Sequence, residues 1–325
     1  MYNFIMSFLS NVKYNYQKNS LIGFAKDSNK DKLKKFLQDL EFNSRETKNK
    51  LIIDCFPELE KINEEQHIFK NNLIWINGFH HKEVKLIKFF LKFYLMHYSD
   101  FNFEISSYAS SLTEIFNDNI SFEYLLNNSY AAQYLISAQQ DYYFLTNHSA
   151  FFVSENAKRL FAHKNLTNNY IYILRNPFNI YRDLKSEIQN KDLALNLFLN
   201  SDGHYQKEVD EDKKYYVEIP KKNWGTHLTS WADPTVKNDF NGLLLSYEDI
   251  FRDPLDFFAS IVIHFKEKGL PMNVDYELIK KFIDSNQNYF EQPSPSDLSN
   301  KEIKQINGVI GEFLQSNNIS YQPQE

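Results

Sequence analysis

The sequence is poor in residues that staple, bend or anchor a chain. Its one cysteine, Cys55, excludes an internal disulfide and a cysteine-ligated metal centre. Only 8 glycines and 9 prolines occur in 325 residues, and there is no internal repeat and no low-complexity segment. No run of about 18 apolar residues exists, so no transmembrane helix is expected. Charge of neither sign clusters. The net charge is -6, and the most charged early stretch, "KKFLQDLEFNSRETKNK", mixes both signs. A nucleic-acid-binding surface is therefore not expected. The first residues, "MYNFIMSFLSNVKYNY", are apolar but short, with no basic leader and no small-residue cleavage site. That pattern argues against a secretory signal and for a helix docked on the domain, in a cytoplasmic protein.

Apolar and aromatic residues are abundant. Hydrophobic residues make up 42% of the chain and aromatics 16%, with 29 Phe and 21 Tyr against 3 Trp. Phe, Tyr, Asn, Lys and Ile share AT-rich codons, so the bias reflects genome composition and not an aromatic binding platform. The length suffices for one large core. Residues 1–70 read as a mostly helical extension packed on that core. In it, "DKLKKFLQDLEF" places Leu33, Phe36, Leu37 and Leu40 on one helical face.

Residues 71–325 alternate strands with helices. "NLIWIN" (72–77), "YYFLTNHS" (142–149), "NYIYILRNP" (169–177) and "NGLLLSYEDI" (241–250) read as buried strands. Helices are expected from Val84 to about Tyr98, over 103–140 with a break near 127–129, through "YRDLKSEI", "LALNLFL" and "WGTHLTSWADP", over 253–269 with Gly269 as cap, and over 299–317. "DGHYQKEVDEDKK" reads as a surface excursion. This is an α/β pattern: a parallel sheet with helices on both faces, which binds ligands at the carboxyl ends of its strands. The 78–83, 146–149 and 175–177 turns should therefore converge.

The strand-to-helix turn "GFHHKE" (78–83) sits where a phosphate loop would, with backbone amides and a helix N-terminus facing an anion. It has one glycine and one lysine, Lys82, and Glu83 brings the wrong charge. Alone, it reads as an ordinary strand-to-helix turn. A metal site at His80 and His81 is not expected, because neighbours on a turn rarely share an ion and no carboxylate stands at a completing spacing.

Three further segments bear on this turn. "YIYILRNPFNIYRDLKSEI" resembles the 3′-phosphate-binding strand and helix of sulfotransferases. "WGTHLTSWADPTVKNDFNGLLLSYEDIFRDPLDFFASIVIHF" resembles a later block of that family, and "YFLTNHSAFF" its Lys-Thr-His strand end. The likeness covers about residues 72–322 and keeps the order of the blocks. It implies a P-loop-like α/β fold and sulfuryl transfer from 3′-phosphoadenosine-5′-phosphosulfate to a hydroxyl or amine of a small-molecule or glycan acceptor, without a metal. It also implies His148 as catalytic base, Lys82 as the loop lysine and Arg175 as the 3′-phosphate ligand. The donor's 5′-phosphosulfate would lie against Gly78, His80, His81, Lys82, Glu83 and Val84. Tyr247, Glu248 and Asp249 match a structural segment, in which Asp249 would cap the next helix and Glu248 would tie loops together. Trp231 and His227 are expected in the core. Homo-oligomerisation is left open.

Four departures cut against donor binding. The loop lacks its Ser-Gly-Thr-Thr core. Thr146 replaces the lysine before the catalytic His. Asp183 replaces the serine eight residues after Arg175. The basic segment expected before the last helix is "NQNYFEQPSPSDLSN". A carboxylate about 4 Å from a phosphate charge costs roughly 4 kcal/mol at an effective dielectric of 20. The alternative expectation is therefore a binding protein that kept the fold and lost the donor site.

Overall fold

Strand alternation explains the centre of the molecule. In Leu73–Gly78 (β1), Leu73 and Trp75 enter one hydrophobic cluster while Ile74 and Ile76 enter another. A strand buried on both faces lies between two layers of helices, and apolar residues at nearly every position are what such a strand needs. The computed structural model describes residues 13–23, 35, 50–51, 54–55, 57–61, 71–97, 102–137, 141–154, 159–188, 191–199, 205–290 and 298–316.

After β1 come His81–Leu95 (α1), Phe103–Ser107 (β2), Tyr108–Phe116 (α2), Phe122–Ser137 (α3) and Tyr142–Asn147 (β3). A small hairpin, Phe152–Ser154 (β4) and Arg159–Leu160 (β5), precedes Thr167–Leu174 (β6), Pro177–Glu187 (α4) and Lys191–Leu199 (α5). A second hairpin follows, Tyr205–Val209 (β7) and Tyr216–Pro220 (β8), then Trp224–Ala232 (α6), Pro234–Asp239 (α7) and Gly242–Ser246 (β9). The chain continues through Asp249–Arg252 (α8), Pro254–Glu267 (α9), Tyr276–Asp284 (α10) and Asn300–Ser316 (α11).

The main sheet has five parallel strands in the order β2-β3-β1-β6-β9. β1 is central, with β3 and β6 on either side, so the chain reverses its direction of travel across the sheet at β1. Ligands in open α/β sheets bind at such a switch point, beyond the strands' carboxyl ends. Residues 78–83, 148 and 175–183 all follow those ends. In β6, Tyr170 and Tyr172 join the aromatic cluster of Trp75, and Ile171 and Ile173 join the second cluster, that of Ile74. Leu21, Leu51, Cys55 and Leu59 of the N-terminal region are buried in the aromatic cluster. The expected face of Leu33, Phe36, Leu37 and Leu40 lies outside the described residues, as do residues 1–12.

Several local expectations need correction. Residues 103–107 form an edge strand, not helix; Phe103 and Ile105 are its period-two signal. The helix through 127–129 is unbroken, and the break falls at 117–121, where Asn117 takes a left-handed φ of 54°. The charged excursion is the β7–β8 hairpin. Asp210 closes its turn by accepting from Lys214 N and Tyr215 N, with Lys213 at a φ of 57°. Pro234 begins α7, where the missing N–H costs nothing, and Asp233 caps it. β9 is a half-buried edge strand. Asp253, not Asp249, caps the long helix α9, and Asp249 pairs with Arg252 inside α8. Gly269 does end α9, with a φ of 85°.

Candidate functional site

The turn after β1 is built around an internal carboxylate. Glu83 is fully buried and folds back along the start of α1, where its Oε1 accepts the His80 amide at 2.9 Å. The His80 ring returns the contact, accepting from Lys82 N at 3.5 Å, which completes a capping box. Gly78 permits this. A Cβ at Gly78 would stand 3.0 Å from Glu83 Cγ and from Val84 Cγ2. The amide at the helix N-terminus that an anion would use is thus already spent on Glu83. Burial, opposed by Arg175, pushes the Glu83 carboxyl up to about 7.

Arg175 follows β6 and is almost fully buried. Its Nη2 lies 2.7 Å from Asp183 Oδ2, its Nη1 lies 3.6 Å from Glu83 Oε2, and its guanidinium faces the Tyr247 ring at 5.4 Å. Asp183 stands on α4, eight residues on. It also holds Lys82 Nζ at 3.0 Å and the Arg182 Nε at 3.8 Å. Burial works to raise the Asp183 carboxyl, but Arg175 and Lys82 outweigh it and hold it below its ordinary value. Asp183 therefore sits as the shared counter-ion of the two cations expected to grip donor phosphates. Glu248 accepts Asn176 N at 2.8 Å and so ties the β9 end to this turn.

His148 follows β3. Its Nδ1 lies 3.0 Å from the Gly78 carbonyl, its amide donates to Glu208 Oε1 at 3.0 Å, and its carbonyl accepts from His227 Nε2 at 3.1 Å. Burial and then Lys221 push the His148 pKa down to about 3, so the ring is neutral. A carbonyl can only accept, so the single proton is on Nδ1 and Nε2 carries a lone pair. His227 is fully buried between Tyr172 Oη and the His148 carbonyl, and Trp231 is buried with its Nε1 on the Ser149 carbonyl.

His148 lines a cavity of about 240 Å³ together with Phe79, His80, His81, Glu187 and Lys221. Lys82 and Arg175 are not among its lining residues. The three strand ends do meet, but the cations gather on Asp183 while His148 faces the cavity. Sequence reasoning missed three residues here. Lys221, just after β8, is nearly buried 4.6 Å over the Phe79 ring, and burial pushes its amine down to about 8. Glu208 in β7 supports the His148 amide, and burial pushes its carboxyl up to about 7. Glu187 ends α4 beside His80 and His81. No period marks Glu208, since in "YQKEV" the charged Glu208 is buried while the apolar Val209 is exposed. Nothing local marks Glu187. No protein-family model matches the chain, and no curated protein matches it.

Proposed function

We propose that this chain is a sulfotransferase-like protein whose donor-phosphate positions are filled by its own carboxylates, and that it binds a small ligand at the neighbouring cavity instead of transferring sulfuryl groups. The observation that carries this reading is the contact of Asp183 with both Arg175 and Lys82. Where the family has a neutral serine, this chain has the counter-ion itself. A phosphate approaching Arg175 must displace that carboxylate or stand beside it, at roughly 4 kcal/mol per charge, about a thousandfold in affinity. Glu83 raises the same obstacle at the helix N-terminus. The cavity beside them combines an apolar wall of Phe79, Leu184, Ile188 and Leu197 with convergent polar groups that would orient a small, polar ligand.

One observation favours a second reading, a divergent transferase. The His148 tautomer is fixed by the Gly78 carbonyl, which leaves Nε2 as a base on the cavity wall. In that reading His148 takes the acceptor's proton, Lys82 balances charge on the leaving oxygen, and 3′-phosphoadenosine-5′-phosphosulfate is the donor.

Calorimetric titration with 3′,5′-adenosine bisphosphate, the donor's product, separates the two. The binding reading expects no heat from the natural chain at millimolar ligand, and measurable binding in Asp183→Ser, which releases Arg175 and Lys82. Tight binding by the natural chain, lost in Arg175→Ala, would overturn this reading and leave the donor site of the transferase reading intact.

A further inference from the structure

The carboxylates that close the turn to anions make it hospitable to a cation. Asp183 engages Lys82 and Arg175, and Glu83 caps the helix end, so the positive charge of a phosphate loop is largely answered from within. Beside this neutralised turn, three donors from distant parts of the chain meet. The Nε2 of His80 lies 3.3 Å from the Glu187 carboxylate, and the Nε2 of His81 lies 3.7 Å from the same group. All three donor atoms fall within 4.8 Å of one another.

The geometry points to a site for a divalent transition-metal ion of the zinc class, held by His80, His81 and Glu187, with a remaining coordination position open to the cavity. Metal–nitrogen and metal–oxygen bonds of about 2.0–2.2 Å at tetrahedral angles place ligand atoms about 3.4 Å apart. The observed 3.3 and 3.7 Å bracket that edge. The widest pair of donors, within 4.8 Å, must close by up to about 1.4 Å to reach it, and the exposed His81 ring is able to turn. Two imidazoles with one carboxylate suit zinc or iron(II) and not magnesium or calcium, which take oxygen ligands.

Neighbouring residues rarely share an ion because side chains in a strand point to opposite faces. Here the pair spans the junction from an extended residue to a helix. His80 has φ -122° and ψ 155°, and His81 is the first residue of α1, so the two rings lie 4.2 Å apart on one side. Glu187 comes from the end of α4, 107 residues from His80. Ligation requires the His80 proton to move from Nε2 to Nδ1. That forfeits the 3.5 Å contact with Lys82 N, the weaker half of the capping box and at the limit of hydrogen bonding, and replaces the His80–Glu187 hydrogen bond with a shared ion. His148, Gln206 and Lys221 line the same cavity, so an oxygen or nitrogen donor of a bound ligand, or water, would complete the coordination.

This inference does not depend on whether the donor phosphates bind. The test uses the full chain, stripped with a chelator and titrated with Zn²⁺ alone against a chromogenic competitor. Cobalt(II) is then substituted to read coordination from its visible bands. The expected result is one ion per chain, not displaced by excess Mg²⁺, with visible bands of low-coordinate cobalt. His81→Ala and Glu187→Gln, both at exposed side chains, should each weaken binding by about 10–100-fold or more. Their melting temperatures without metal should stay unchanged. His97→Ala, remote and exposed, should bind as the natural chain does. Absence of stoichiometric binding, or binding that survives both His81→Ala and Glu187→Gln, would overturn the site.

Discussion

Asp183, Lys82, Arg175 and Glu83 form a closed electrostatic unit, and its behaviour should show residue by residue. Asp183→Ser leaves the buried Arg175 with Glu83 alone at 3.6 Å. Losing one partner of a buried charge pair costs several kcal/mol, and the surviving partner lowers that to about 2–3 kcal/mol. Urea denaturation should show this loss, and 3′,5′-adenosine bisphosphate should recover part of it in the variant only. His227 gives a second test at this scale. Burial, with Lys221 next, pushes its pKa down to about 3, below the unfolded value of about 6.5. A depressed pKa means that the stability contribution is present above pH 6.5 and is lost as pH falls toward 3. The slope should approach about 1.4 kcal/mol per pH unit from this ring. Urea midpoints measured from pH 7 to 5 should fall, and His227→Gln should flatten that fall. An unchanged slope in the variant would show that His227 takes up protons in the folded state.

At the scale of elements, glycine marks where strands and side chains need contact closer than a Cβ allows. Gly242 opens β9 beside Tyr170 of β6, its register partner. A Cβ there would lie 2.2 Å from Tyr170 Cζ, and the Tyr170 hydroxyl donates to the Trp231 carbonyl behind it. The ring is fully buried and pinned, so Gly242→Ala should destabilise by about 1–3 kcal/mol or more through overpacking. Chemical denaturation checks this, and a neutral result would show that the ring can move. Strand β1 and helix α1 were legible from composition and period because burial on both faces leaves nearly continuous apolar sequence. Strand β2 was not, since an edge strand of five residues carries only two apolar signals. The β7–β8 hairpin was obscured by its charges, which belong mostly to its turn and outer face.

The N-terminal region contributes buried side chains to the core of the whole molecule. Leu21, Leu51, Cys55 and Leu59 are buried in the same cluster as Trp75, Tyr108 and Tyr172. Full burial of a large apolar side chain contributes about 1.5–3 kcal/mol, so removing the region takes away stability comparable to that of a whole domain. A chain starting at residue 62 should aggregate or unfold without cooperativity, as read by scattering and calorimetry. Retention of a sharp transition would instead mark residues 71–325 as an independent domain. Among the described residues no helix is long and apolar enough to cross a membrane.

The sequence by itself determined four of the five strands of the main sheet, most of the helices between them, the apolar core of β1 and β6, and the segments that follow the strand ends. These are local properties, carried by period and by turn residues a few positions apart. It also singled out Lys82, His148, Arg175 and Asp183, and flagged the wrong charge at Glu83. Only the tertiary structure decided what those residues do to one another. Whether Asp183 repels an incoming anion or neutralises Arg175 depends on a distance between two elements, which no spacing encodes. The same holds for Glu187. Its place beside His80 and His81 follows from packing α4 against the β1 turn, and for that reason the two histidines lacked a carboxylate in sequence and have one in space.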